Sequence, residues 1–144
     1  AIRAWLRSHA GHARIHGVVT VGTPHRGTWL GRFGYSANGV QMRWESPWLG
    51  SLATVEAKGP FPRYTCFYSH CDNIVFPASS ATLPGADNRH LRGQAHVHML
   101  QHPAVLDGVM ARLAEPDGAQ PGANSRSPES TVPASISGSA RTSA

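Results

Sequence analysis

Two short runs of β-branched and aromatic residues constrain the fold of this chain most. Residues 15–21 contain Ile15, Val18, Val19 and Val21, and residues 64–68 read Tyr-Thr-Cys-Phe-Tyr. Runs of this kind suit a pleated surface buried in a parallel sheet, because they lack the polar half of a strand that faces water. Helical patterns flank them. In residues 1–9, Ile2, Trp5 and Leu6 fall at i, i+3 and i+4, Arg3 and Arg7 lie off that stripe, and Gly11 follows as a stop. Ser46 and Pro47 read as the cap and first residue of a short helix over residues 49–57. From Pro103 to Leu113, Val105, Leu106, Val109, Met110 and Leu113 recur at helical spacing, and a third short strand is expected near residues 88–91, ended by Gly93. Helices alternating with buried strands predict an α/β layer with a mostly parallel sheet.

Composition bounds what such a layer can be used for. The chain has 144 residues, enough for one domain, and a formal charge of +5 from 13 Lys and Arg against 8 Asp and Glu. The arginines are scattered, with no dense basic run, so nucleic-acid binding has little support. No stretch approaches the ~18 apolar residues of a membrane span, and no basic region leads into an apolar signal core. Cys66 and Cys71 are too few for a disulfide framework, match no Cys-x-x-Cys motif, and leave a bridge between them open. Residues 115–144 carry four prolines, many Ser, Gly and Ala, and no aromatic residue. Such a segment buries too little apolar surface to offset its ordering entropy, so it is expected to be a disordered tail behind a domain spanning residues 1–114.

The chemistry-bearing residues follow the strands. Gly22-Thr23-Pro24-His25-Arg26-Gly27-Thr28 leaves the first run with two glycines and a proline, which takes the backbone out of the sheet. In open α/β sheets ligands bind in loops at the carboxyl ends of strands. Ser69-His70-Cys71-Asp72-Asn73 leaves the second run, and 24 positions after Asp72 comes His96, in Gly93-Gln94-Ala95-His96-Val97-His98-Met99-Leu100. A carboxylate that holds one imidazole nitrogen as a donor frees the other to take a proton from a hydroxyl, which is the logic of serine hydrolysis.

These three loops resemble a family. Val18-Val19-Thr20-Val21-Gly22-Thr23-Pro24-His25-Arg26-Gly27-Thr28 is similar to the strand and loop after the nucleophile helix in bacterial triacylglycerol lipases and related esterases of the α/β-hydrolase fold. Ser69-His70-Cys71-Asp72-Asn73-Ile74-Val75 with Pro77 resembles that family's acid loop, and residues 93–100 resemble its histidine loop. The matches stand in the family's order and cover about residues 1–113. The resemblance implies Asp72 as the triad acid and His96 as the base, with His98 at a variable position; Thr23, Pro24 and His25 most simply fix the shape of their loop, with a substrate-lining role as the second reading. It implies a carboxylic ester, such as a lipid, as substrate, and neither cofactor nor metal. It also places Ala1 a few residues beyond the Gly-x-Ser-x-Gly elbow, so this chain is expected to be the C-terminal portion of a partial α/β-hydrolase. The N-terminal half, with the nucleophile serine and both oxyanion donors, would then be missing, and residues 1–144 alone would be inactive. Localisation stays open.

Other readings compete. Gly34-Tyr35-Ser36-Ala37-Asn38-Gly39 nearly spells an elbow, but Arg32-Phe33-Gly34 is no buried strand and Asn38 stands where the last motif glycine belongs. Asp72 read alone is a loop-capping carboxylate, and His96 a hydrogen-bonded surface histidine. His96 and His98 with His70, Cys71 or Asp72 form a weak zinc alternative without standard ligand spacing. A non-catalytic interaction domain is the third reading.

Overall fold

A computed structural model describes residues 2–8, 15–57 and 62–115. The elements in chain order are α1 (Ile2–Ser8), β1 (Val18–Val21), α2 (Ala37–Gln41), α3 (Pro47–Glu56), β2 (Tyr64–Tyr68), β3 (Asp87–His90), α4 (His96–Met99) and α5 (Pro103–Ala114), with single 3-10 turns at Trp29–Phe33 and Ala78–Ala81. The expected stop at Gly11 and the tail at residues 116–144 lie outside the described residues. Glu115, assigned by composition to the tail, is held by Arg63 at 2.6 Å and by Arg112 at 3.1 Å.

The fold is α/β, with a parallel three-stranded sheet in the order β1-β2-β3. β1 registers Val18 on Tyr64 through Val21 on Phe67, and β2 registers Thr65 on Asp87 through Tyr68 on His90. β2 is the central strand and is buried at four of its five positions, as its apolar run predicts. Period-two alternation divides its side chains between two cores. Tyr64 and Cys66 join Val18 and Leu6 of α1 on one face. Phe67 joins Leu91, Met99 of α4 and Val105 of α5 on the other, with Val19 and Val21 packed alongside. β3 is exposed at all four residues, and its Asp-Asn-Arg-His sequence suits an edge that must not recruit another strand.

Two helices bury a different face from the one their apolar spacing predicts. In α1 the buried residues are Arg3 and Leu6, while Ile2 and Trp5 are well exposed. Arg3 goes inside because its guanidinium is fully engaged: Nε and Nη2 donate to the Glu56 carboxylate at 2.6 Å, and Nη1 donates to the His25 carbonyl at 2.6 Å. A charge so paired and hydrogen-bonded tolerates burial. In α5 the buried residues are Val105 and Gly108. Gly108 lets the helix lie on the Phe67 ring, since a Cβ there would fall 2.6 Å from Phe67 Cζ. Leu106, Met110 and Leu113 consequently point away, 56, 64 and 74% exposed. α3 begins as read from sequence, with Ser46 Oγ accepting from Leu49 N at 3.3 Å and Pro47 in the first turn.

Candidate functional site

The carboxyl ends of β1 and β2 bring Asp72 and His96 together. β2 ends at Tyr68, and the chain turns through Ser69, whose buried hydroxyl accepts from Cys71 N at 3.1 Å. Asp72 then arrives 7% exposed. Its Oδ1 accepts from the amides of Ile74 and Val75, both at 2.8 Å, the local turn an Asp favours two and three residues on. Its Oδ2 faces His96 Nδ1 at 2.9 Å, with Oδ1 at 3.1 Å from the same nitrogen. Asp72 therefore both caps its own loop and meets the imidazole, with the two amides on Oδ1 and the shorter contact to Nδ1 on Oδ2. Two backbone donors hold the carboxylate in an orientation that leaves an acceptor for the imidazole.

His96 opens α4, a four-residue helix. Gly93 at φ +68° turns the chain into it, and His96 N donates to Asn73 Oδ1 at 3.3 Å, which ties the histidine loop to the acid loop a second time. The ring lies over the end of β1. Gly22 there has φ +53°, and a Cβ on it would sit 2.9 Å from His96 Cε1 and Nδ1 and 2.9 Å from Met99 Cε. Gly22 is thus the floor beneath the imidazole, where a side chain would have to displace the ring. With Nδ1 engaged by Asp72, Nε2 has no hydrogen-bond partner among the described residues, and the His96 side chain retains 27% exposure. An imidazole held this way can accept a proton at Nε2 while the carboxylate stabilises the resulting cation.

The residues named with less support fall elsewhere. His25 is 2% exposed and belongs to the opposite core, with Nε2 3.1 Å from Thr20 Oγ1 and 3.7 Å from Cys66 Sγ and its ring edge-on to Tyr64. Burial, reinforced by the Arg3 guanidinium, lowers its pKa from 6.5 to about 4. Thr23 and Pro24 act through their carbonyls, which accept from His25 N at 2.8 Å and Gly27 N at 3.0 Å and shape the loop. None of the three contacts the Asp72–His96 pair through any hydrogen bond found among the described residues. Ser36 caps α2, its Oγ accepting from Gly39 N at 3.1 Å, and a 3-10 turn rather than a strand precedes it. The strand-to-helix elbow is absent at that position. His98 is exposed. Cys66 is a buried free thiol, its pKa raised by burial, and Cys71 an exposed one. Among the described residues no group of three His, Cys, Asp or Glu side chains comes close enough to hold a metal ion, and no helix is long and apolar enough to cross a membrane.

A cavity of about 650 Å³ opens between α3, the start of β2 and residues 82–86, with Arg3, His25, Glu56 and Tyr64 in its wall. It lies across the sheet from the pair, and neither Asp72 nor His96 lines it. Sequence reasoning missed one residue that touches the pair, Gly22. A glycine at the end of a strand run is a signal for close backbone approach, but the partner that approaches is 74 residues away. No protein-family model matches this chain, and no curated protein matches its sequence.

Proposed function

We propose that this chain supplies the acid and base of a serine carboxylic-ester hydrolase, with Asp72 as the orienting carboxylate and His96 as the proton carrier. One observation carries the reading: a buried carboxylate, locked by two backbone amides, meets the imidazole at 2.9 Å and leaves Nε2 open at the carboxyl end of a parallel sheet. That position is where α/β sheets carry their ligands. The resemblance of the three loops to the lipase and esterase family supports the same roles for the same residues.

In this reading a serine hydroxyl stands at His96 Nε2. As Oγ bonds to the ester carbonyl carbon, Nε2 takes the hydroxyl proton and Asp72 stabilises the imidazolium. The alkoxide then leaves with that proton, giving an acyl-serine. Water repeats the sequence in the second half, releasing the acid and restoring the serine. The nucleophile belongs to a Gly-x-Ser-x-Gly elbow, which the resemblance places before Ala1. The exposed apolar stripe of Leu106, Met110 and Leu113 suits burial by further polypeptide.

The test is to express residues 1–144 joined to the reading frame upstream of the Ala1 codon and to assay p-nitrophenyl esters. Activity is expected in the joined protein and none above background in residues 1–144. His96→Ala and Asp72→Ala should each cost about four orders of magnitude in kcat, because triad members act as a unit, while His98→Ala and added chelator change little. Activity in residues 1–144 that Ser36→Ala abolishes would make Ser36 the nucleophile and sink this account.

A further inference from the structure

Asp72 keeps its orientation only if residues 74 and 75 keep their amides turned toward it, and residues 70–77 contain no helix or strand to enforce that. The support comes from a distant residue. Thr28, 8% exposed, donates its hydroxyl proton to the Ile74 carbonyl at 2.8 Å and accepts from Phe76 N at 3.1 Å on the same oxygen. One hydroxyl thereby holds the peptide groups on both sides of Val75, whose own amide is one of the two donors to Asp72.

Thr28 is itself fixed. Its amide donates to the Met42 carbonyl at 2.9 Å, and the preceding Gly27, at φ +88°, is pressed so closely on residue 43 that a Cβ would lie 2.2 Å from the Arg43 carbonyl oxygen. The next residue continues the clasp: Trp29 N donates to the Phe76 carbonyl at 2.9 Å, and the Trp29 ring meets the Phe76 ring edge-on at 5.2 Å. A chain of fixed contacts therefore runs from residues 42–43 through Thr28 to the acid loop and ends on the carboxylate that faces His96.

We propose that Thr28 is a positioning residue for the Asp72–His96 pair, acting by holding the Ile74 and Val75 amides on Asp72 Oδ1 so that Oδ2 is presented to the imidazole. Its consequence for rate rests on the hydrolase reading above, while its consequence for geometry does not. Valine matches threonine in shape and lacks the hydroxyl. In Thr28→Val the Ile74 carbonyl and Phe76 amide lose their partner, the loop opens more often, and the carboxylate stops selecting which imidazole nitrogen carries the proton. Thr28→Ser keeps the hydroxyl and should keep the geometry.

The experiment uses the full chain labelled with 15N-histidine, at alkaline pH where imidazoles are neutral and the nitrogen shifts report the tautomer. Wild type and Thr28→Ser should show His96 protonated at Nδ1. Thr28→Val, like the control Asp72→Asn, should lose that signature, and protection of the Ile74 and Val75 amides from hydrogen exchange should fall about tenfold or more. If Thr28→Val does not fold, Thr28→Cys replaces it, with a weaker donor of similar size and the same direction of change expected. A folded variant that lowers the urea midpoint yet keeps the His96 tautomer would overturn the proposal, since a merely structural threonine does just that. That outcome leaves the hydrolase reading standing, which fails instead on the esterase assay of His96→Ala.

Discussion

His25 should make the fold sensitive to acid in a defined window. The imidazole is buried at 2% exposure, its Nε2 is occupied by Thr20 and Cys66, and its Nδ1 is a buried nitrogen without a hydrogen-bond partner among the described residues. Protonation would place an N–H at both nitrogens, next to the Arg3 guanidinium and with no acceptor for one of them. Burial first, and Arg3 second, accordingly lower the pKa from 6.5 to about 4. The unfolded chain takes up the proton near 6.5, so between there and about 4 it binds more protons than the folded chain, and stability falls as pH falls. At about 1.4 kcal/mol per pH unit the full loss is about 3 kcal/mol, of which about 2 kcal/mol is gone by pH 5. A domain of this size has about 5–15 kcal/mol to lose. The assay is urea unfolding, followed by tryptophan fluorescence, at intervals from pH 7.5 to 4.5 in wild type and His25→Gln. Glutamine does not titrate, so its stability should be lower at neutral pH but flatter toward acid, and the two curves should converge near pH 4.5. Parallel curves, or an NMR titration of His25 near 6.5, would refute the reasoning.

Two further substitutions probe the supports of the fold and the pair. Gly22→Ala places a Cβ 2.9 Å from the His96 ring at φ +53°, where a side chain costs about 1–2 kcal/mol before any clash; thermal melts should show that loss, and the His96 nitrogen shifts should move with it. Glu56→Ala strips the partner from Arg3, which is only 6% exposed, and should cost about 3 kcal/mol in urea unfolding. Replacing both by leucine should recover most of the loss, because the desolvated charge is then gone as well.

The sheet was legible because each strand carries its own local signal. Tyr64–Tyr68 is a strand over the span read from sequence, Val18–Val21 occupies the β-branched end of the first run, and Asp87–His90 lies one residue from the expected third strand. α3 and α5 began where Pro47 and Pro103 announce a first turn. What spacing could not supply was the direction in which a helix turns its apolar stripe. In α1 a single arginine outcompeted Ile2 and Trp5 for the interior, because Glu56, more than fifty residues away, was there to receive it. In α5 a glycine, which counts for nothing in a hydrophobic pattern, set the buried face by admitting the Phe67 ring.

The same division explains the candidate site. Asp72 and His96 announce themselves through residue type, position after a strand and likeness to a known family's loops, and the structure brings them to 2.9 Å. The residues that hold them in place have no such signature. Gly22 contributes a missing side chain, and Thr28 contributes one hydroxyl to peptide groups 46 and 48 residues on. Their roles exist only once the strands have paired, since parallel β1–β2 pairing is what brings the loop after Val21 beside the loop after Tyr68. A catalytic carboxylate needs chemistry that sequence displays, whereas its orientation needs backbone donors whose direction depends on contacts from the other loop. His25 is the converse case. Its place in a loop after a strand makes it read as a site residue, yet Thr20, five positions before it, and the buried Cys66 draw the ring to the other side of the sheet. Loop position therefore nominated residues after each of the three strands, and the side-chain partners available on each face of the sheet decided which of them came together.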